Sequence, residues 1–184
     1  MNDFPISSQK SILSPGRHSV DDLEAVTMFS VSEIVDIAIQ LERNGERFYR
    51  RGIEMVSDDS MRQLLRWLAD EEVRHREQFA AMKAGFLRRE ESRAERVGGS
   101  ILQSAVSDHA FSLDEVDYSS IVDEAMLVDI AIGFEKDGIT FYEIMQGFID
   151  EPETLALIRE ISDEERKHIE LLTERKDVLA SRAV

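Results

Sequence analysis

Shifting the chain against itself by 93 positions lays Leu41-Glu42-Arg43-Asn44-Gly45 on Phe134-Glu135-Lys136-Asp137-Gly138 and Phe48-Tyr49 on Phe141-Tyr142. The same shift, without a gap, lays Asp70-Glu71-Glu72-Val73-Arg74-His75 on Asp163-Glu164-Glu165-Arg166-Lys167-His168. Each copy carries two helical patterns, so the repeat reads as a duplicated helical hairpin. Duplication implies a pseudo-twofold axis, and residues equivalent in the two copies can then converge on one central site.

The spacing of breakers sets the helix limits. Only three prolines occur in 184 residues, Pro5, Pro15 and Pro152, and from Val31 onward most of the chain runs without a break. Residues 1–29, rich in Ser with Pro5, Pro15 and Gly16, are expected to be a flexible N-terminal arm. The first helix is predicted from Ser30, whose Ser-x-x-Glu spacing to Glu33 suits a capping box, to Val56. A turn at Ser57-Asp58-Asp59 leads to a second helix over 60–96, ended by Gly98 and Gly99. Residues 97–120 are too long for a tight turn and read as a crossover; Ile101 to Val106 within them is the kind of short run that strand and helix share. A third helix is expected over 120–148, and a fourth to about Ala180, begun by Asp150 as cap, Pro152 in the first turn and Glu153. The fold class is therefore all-α, a four-helix bundle over 30–182 built from hairpins 30–96 and 121–182 joined by one long crossover.

Composition narrows the chemistry. With 42 % hydrophobic residues the chain can bury a core, and its apolar stretches are too short to span a bilayer. The start of the chain lacks the pattern of a secretory signal, so a cytoplasmic location is expected. There is no cysteine, which excludes thiolate metal sites, disulfides and cysteine nucleophiles. The 38 acidic residues against 22 basic ones give a net charge of -16, which repels nucleic acid and anionic membranes and attracts cations. The arginines of the second helix, Arg74, Arg76, Arg88, Arg89, Arg93 and Arg96, are interleaved with Glu and read as a solvated face of ion pairs.

The inner seams carry acids where packing demands apolar groups. Val35, Ala38, Glu42, Gly45 and Tyr49 follow each other at alternating steps of three and four, and so do Val128, Ala131, Glu135, Gly138 and Tyr142. The second and fourth helices add Glu72 with His75 and Glu165 with His168, each a Glu-x-x-His pair on one helical face. One such pair is a weak signal. Two in the same repeat register, each 30 residues after a seam glutamate, are a strong one. Four facing carboxylates need a cation between them, and this donor set is the one that di-iron and di-manganese bundles use. The expected metal ligands are Glu42, Glu72, His75, Glu135, Glu165 and His168, holding two iron ions, with manganese as the alternative. Glu72 and Glu165 are expected to bridge, with the other four terminal. Glu46 could supply a seventh carboxylate, but its repeat mate is Ile139 and a flanking charge is favoured. Tyr49, Tyr142 and Trp67 are read chiefly as packing residues, Glu71 and Glu164 as either solvated flanks or partners of the histidine ring nitrogens, and His18 and His109 as surface residues.

On Glu42, Glu72-x-x-His75, Glu135 and Glu165-x-x-His168 the sequence over about residues 31–180 resembles the rubrerythrin and ferritin-like di-iron carboxylate family. The resemblance implies a ferritin-like bundle and an oxidoreductase that oxidises Fe(II) with O2 or H2O2, of ferroxidase or peroxidase type. Rubrerythrins add a rubredoxin module with four cysteines, absent here, so an external electron donor is implied. They also carry a second Glu three residues after the third-helix ligand, where this chain has Gly138. A homodimer or larger homo-oligomer is expected. The rival functions are an iron-binding or storage module without independent turnover and a di-iron oxygenase acting on an organic substrate.

Overall fold

The computed structural model describes residues 28–29, 31–90, 97–98 and 116–182. Four helices make the fold: α1 (Val31–Met55), α2 (Asp59–Glu90), α3 (Glu124–Gln146) and α4 (Pro152–Arg182). Packing is most extensive within the pairs α1/α2 and α3/α4, so the bundle is two hairpins laid together.

Side-chain caps decide where the helices begin. Asp58 starts α2, because its carboxylate accepts from the backbone N–H of Ser60 and Met61, both at 3.0 Å. Asp123, not Ser120, starts α3, its carboxylate accepting from Met126 N at 2.8 Å. Ser120 is used otherwise, in a 3-10 turn over Tyr118–Ser120 capped by Asp117. Pro152 opens α4 as expected, but Glu151 takes the place assigned to Asp150: its carbonyl accepts from Leu155 N at 2.9 Å and its carboxylate from the Thr154 hydroxyl at 2.6 Å.

One pairing has no counterpart in the sequence reading. Met28–Phe29 (β1), assigned to the arm, pairs antiparallel with Val97–Gly98 (β2), which ties the segment before α1 to the segment after α2. Two residues a side are too few for an alternating pattern to announce them. Ser30, residues 91–96, the rest of the crossover to 115 with Ile101 to Val106 and His109, and the arm with His18 lie outside the described residues.

The seams bury as two separate apolar clusters. One gathers Ile34, Ala38, Phe79, Phe141 and Ile161, and the other Phe48, Leu65, Leu68, Val128 and Leu172. Between them lies the layer that holds Glu42, Glu72, His75, Glu135, Glu165 and His168, every one of them buried. Among the described residues no helix is long and apolar enough to cross a membrane.

Candidate metal centre

Each helix contributes to this layer at the seam position that its three-and-four spacing dictates. The structure brings all six expected residues together as two groups, Glu42, Glu72, His75 and Glu165 on one side and Glu72, Glu135, Glu165 and His168 on the other. Within each group one ligand atom per residue lies within 4.8 Å of all the others. Glu72 and Glu165 belong to both groups, which is the position of a bridging carboxylate. The two imidazoles stack with ring centroids 5.8 Å apart and turn Nδ1 inward. Close approach is possible at α1 because Gly45 has no side chain: a Cβ there would come within 2.7 Å of both the Glu72 carboxyl carbon and the Phe134 ring.

The donors fit a cation. His75 Nδ1 lies 2.9 Å from Glu165 Oε1, and His168 Nδ1 lies 2.7 Å from Glu165 Oε2. Neither contact has the alignment of a hydrogen bond, so both Nδ1 atoms, together with Glu72 Oε1 and Glu165 Oε2, are buried without a hydrogen-bond partner. Such atoms cost about 1–3 kcal/mol each when unpaired. A divalent ion facing them would satisfy all four. The titration behaviour has the same origin. Burial raises the Glu72 carboxyl well above its ordinary value and the charge of Glu42 adds to it, while burial and Glu165 push Glu135 up to about 8. Burial works against charge on the imidazoles too, yet the carboxylates around them win: Glu165 and Glu42 bring His75 up to about 11, and Glu135 and Glu165 bring His168 up to about 10. Burial would also raise Glu165, but the two histidines hold it below the ordinary carboxylate range. Protons do here what a metal ion would do, placing positive charge among the carboxylates.

The tyrosines sew the hairpins together. The Tyr49 hydroxyl of α1 donates to Glu135 of α3, and the Tyr142 hydroxyl of α3 donates to Glu42 of α1. Burial and the neighbouring carboxylates raise both phenols well above their ordinary value, so they stay protonated donors.

The model of the ferritin-like domain matches residues 30–174. The chain belongs to the ferritin-like domain family. Among solved structures, a candidate ferritin-like diiron-carboxylate protein from Thermotoga maritima superposes with a TM-score of 0.63 at 28 % identity, over 82 % of this chain and 96 % of that one. A protein of unassigned function from Pyrococcus furiosus shares the fold with a TM-score of 0.61 at 19 % identity, over 83 % and 92 % of the two chains. No curated protein matches significantly.

Around this ferritin-like centre the flanking residues separate. Glu46 stands apart from both groups, paired with Arg50 at 2.9 Å and with Arg76; burial opposes its ionisation, but the two arginines hold its carboxyl below the ordinary range. Glu164 crosses from α4 to place Oε2 2.9 Å from His75 Nε2, and Arg74 reaches the same oxygen at 3.0 Å while also pairing with Glu71. Trp67, 42 % exposed, packs with its ring nearly perpendicular to that of His168, 5.1 Å between centroids. Of the two readings open for Glu164, partner of a histidine ring nitrogen is the one observed, but neither its choice of the histidine on the other helix nor the Trp67 contact was legible in the sequence, since helical spacing relates residues within a helix and both contacts run between α2 and α4.

Proposed function

We propose that the protein is a di-iron oxidoreductase, similar to rubrerythrin in its metal-binding bundle, that oxidises Fe(II) with O2 or peroxide. The observation that carries this reading is the pair of buried Glu3His groups sharing Glu72 and Glu165. Glu42, Glu72, His75 and Glu165 would hold one ion and Glu72, Glu135, Glu165 and His168 the other; two ferrous ions there supply the two electrons that reduce peroxide or begin the reduction of O2.

The chain's own residues set the conditions. Each histidine presents Nδ1 inward as a neutral donor once its proton leaves. Tyr49 and Tyr142 each hold one oxygen of Glu135 and Glu42 and so fix how those carboxylates face the centre. The two apolar clusters close the layer from both ends and exclude bulk water, which strengthens every charge interaction inside. Fully buried flanking side chains such as Phe48, Tyr49, Phe79 and Phe141 suit an oxidant of two or four atoms better than a bulky organic substrate.

Gly138, at the position where rubrerythrins carry a further glutamate, favours ferroxidase-type turnover over peroxidase turnover. The test is metal analysis of protein loaded anaerobically with iron, followed by stopped-flow mixing of the ferrous form with O2 and with H2O2. Two irons per chain and a single burst with O2 are expected, with repeated peroxide turnover only when a reductant is supplied. Peroxide oxidation orders of magnitude faster than the O2 reaction would assign the peroxidase reading instead. A chain that takes up no iron would overturn the proposal.

A further inference from the structure

The repeat suggests two equal metal positions, but the surroundings of the two histidines differ. We propose that Glu164 makes the positions unequal, with the ion on the His75 side bound more tightly than the ion on the His168 side. This rests on the di-iron reading above.

The asymmetry is visible residue by residue. Glu164 and Glu71 are repeat mates, each one helical turn before a histidine. Glu164 leaves its own helix and engages His75 Nε2 at 2.9 Å. The symmetric contact, Glu71 with His168, is not made; Glu71 pairs with Arg74, which also reaches Glu164 at 3.0 Å. Arg74 therefore gathers both acids on the His75 side, and among the described residues no carboxylate engages His168 Nε2. That ring packs instead at nearly a right angle to Trp67, whose repeat mate is Glu160.

A carboxylate on the outer nitrogen fixes the imidazole tautomer with the proton on Nε2. It also makes the inner nitrogen a stronger donor, an effect typically worth 10- to 100-fold in metal affinity. His75 Nδ1 has this support and His168 Nδ1 does not, so the first ion should enter the group of Glu42, Glu72, His75 and Glu165. Glu164 acts through His75 and is a positioning residue. It also lines an open surface hollow of about 470 Å³ with Arg159, Asp163 and Lys167.

Titration of the metal-free protein with Mn(II), following the free ion by EPR, tests this directly. The wild type should bind two ions in two resolved steps at least about tenfold apart. Glu164→Gln should weaken only the tighter step, by about 10- to 100-fold, and Glu164→Ala at least as much. In the metal-free protein Glu164→Ala, which strips buried His75 Nε2 of its partner, should lower Tm by a few degrees, Glu164→Gln, which keeps an accepting oxygen, should lower it less, and Glu71→Gln should leave both binding steps as they are. His168→Ala should keep the tighter ion and His75→Ala only the weaker. Two equal steps in the wild type, or a Glu164→Gln variant that weakens both alike, would overturn the inference while leaving the di-iron reading intact. A protein that binds no Mn(II) and no Fe(II) would overturn both.

Discussion

At the scale of single residues the repeat misleads at one instructive place. Gly45 and Gly138 are mates, but a Cβ at Gly45 would press on Glu72 and Phe134 at 2.7 Å, whereas one at Gly138 would touch only Tyr142, at 3.8 Å. Two neighbours make the difference: Phe134, whose mate is the shorter, non-aromatic Leu41, and Glu72, which crowds Gly45 while its mate Glu165 stays clear of Gly138. Gly45→Ala should therefore displace Glu72, lower metal content and cost about 1–3 kcal/mol, as overpacking does. Gly138→Ala should be neutral or stabilising by about 0.4–1 kcal/mol, because it removes only backbone freedom of the unfolded chain. Denaturant titration and metal analysis of the two variants check both. A second contrast concerns the shared carboxylates. Since Glu72 and Glu165 each stand in both groups, Glu72→Ala and Glu165→Ala should each cut bound iron from two towards one or zero, and a variant that retains two tightly bound ions would count against bridging. The six candidate ligands could be named from sequence because charge on an inner seam is conspicuous. Which ligand each partner serves could not, because Glu164, already a candidate partner of a histidine ring nitrogen, and Tyr49 and Tyr142 each act on a residue of another helix.

At the scale of helices, existence, order and several ends were legible to within a few residues, and the caps of α3 and α4 were not. Apolar steps of three and four announce α1 to α4, but several residues near each end are competent caps and tertiary context selects among them. Ser120 and Asp123 are both good caps; Asp117 draws Ser119 and Ser120 into the 3-10 turn, and Asp123 is left to accept from Met126 N. Asp123→Ala should thus destabilise the protein by about 1 kcal/mol, while Asp123→Asn, which keeps an accepting oxygen, should lose much less. In a chain of this size about 1 kcal/mol appears as a fall of about 2–4 °C in Tm, which scanning calorimetry resolves. Ser120→Ala should leave Tm nearly unchanged by the same measurement, whereas an equal fall would mean that Ser120 also holds the helix start.

At the scale of the molecule, a core divided by a charged layer makes stability depend on whatever neutralises that layer. In the metal-free protein His75 at about 11 and His168 at about 10 lie above the unfolded value near 6.5, so their contribution is complete below about pH 6.5 and is lost progressively as the pH climbs towards 10–11. Glu135 at about 8, and Glu72 with its raised value, contribute fully below about pH 4.5 and lose that contribution as the pH rises through their folded values. Glu165 runs the other way, contributing above about pH 4.5 and losing it in stronger acid. Above about pH 4.5 the two glutamates begin to lose their contribution and above about pH 6.5 the histidines join them, so the metal-free protein should lose Tm from about pH 5 to 8, more steeply above about 6.5. A metal ion competes for the same protons, so its affinity rises with pH and the gap between loaded and metal-free protein should widen. At pH 8, with metal about 100-fold above its Kd, the gap should be on the order of 5–10 °C, the equivalent of about 2.7 kcal/mol. Binding at pH 7 should release about two to four protons per chain, measurable by calorimetry in buffers of different ionisation enthalpy. A metal-free Tm that is flat or rising from pH 5.5 to 8, with no proton release on binding, would mean that the buried layer is not organised around a cation.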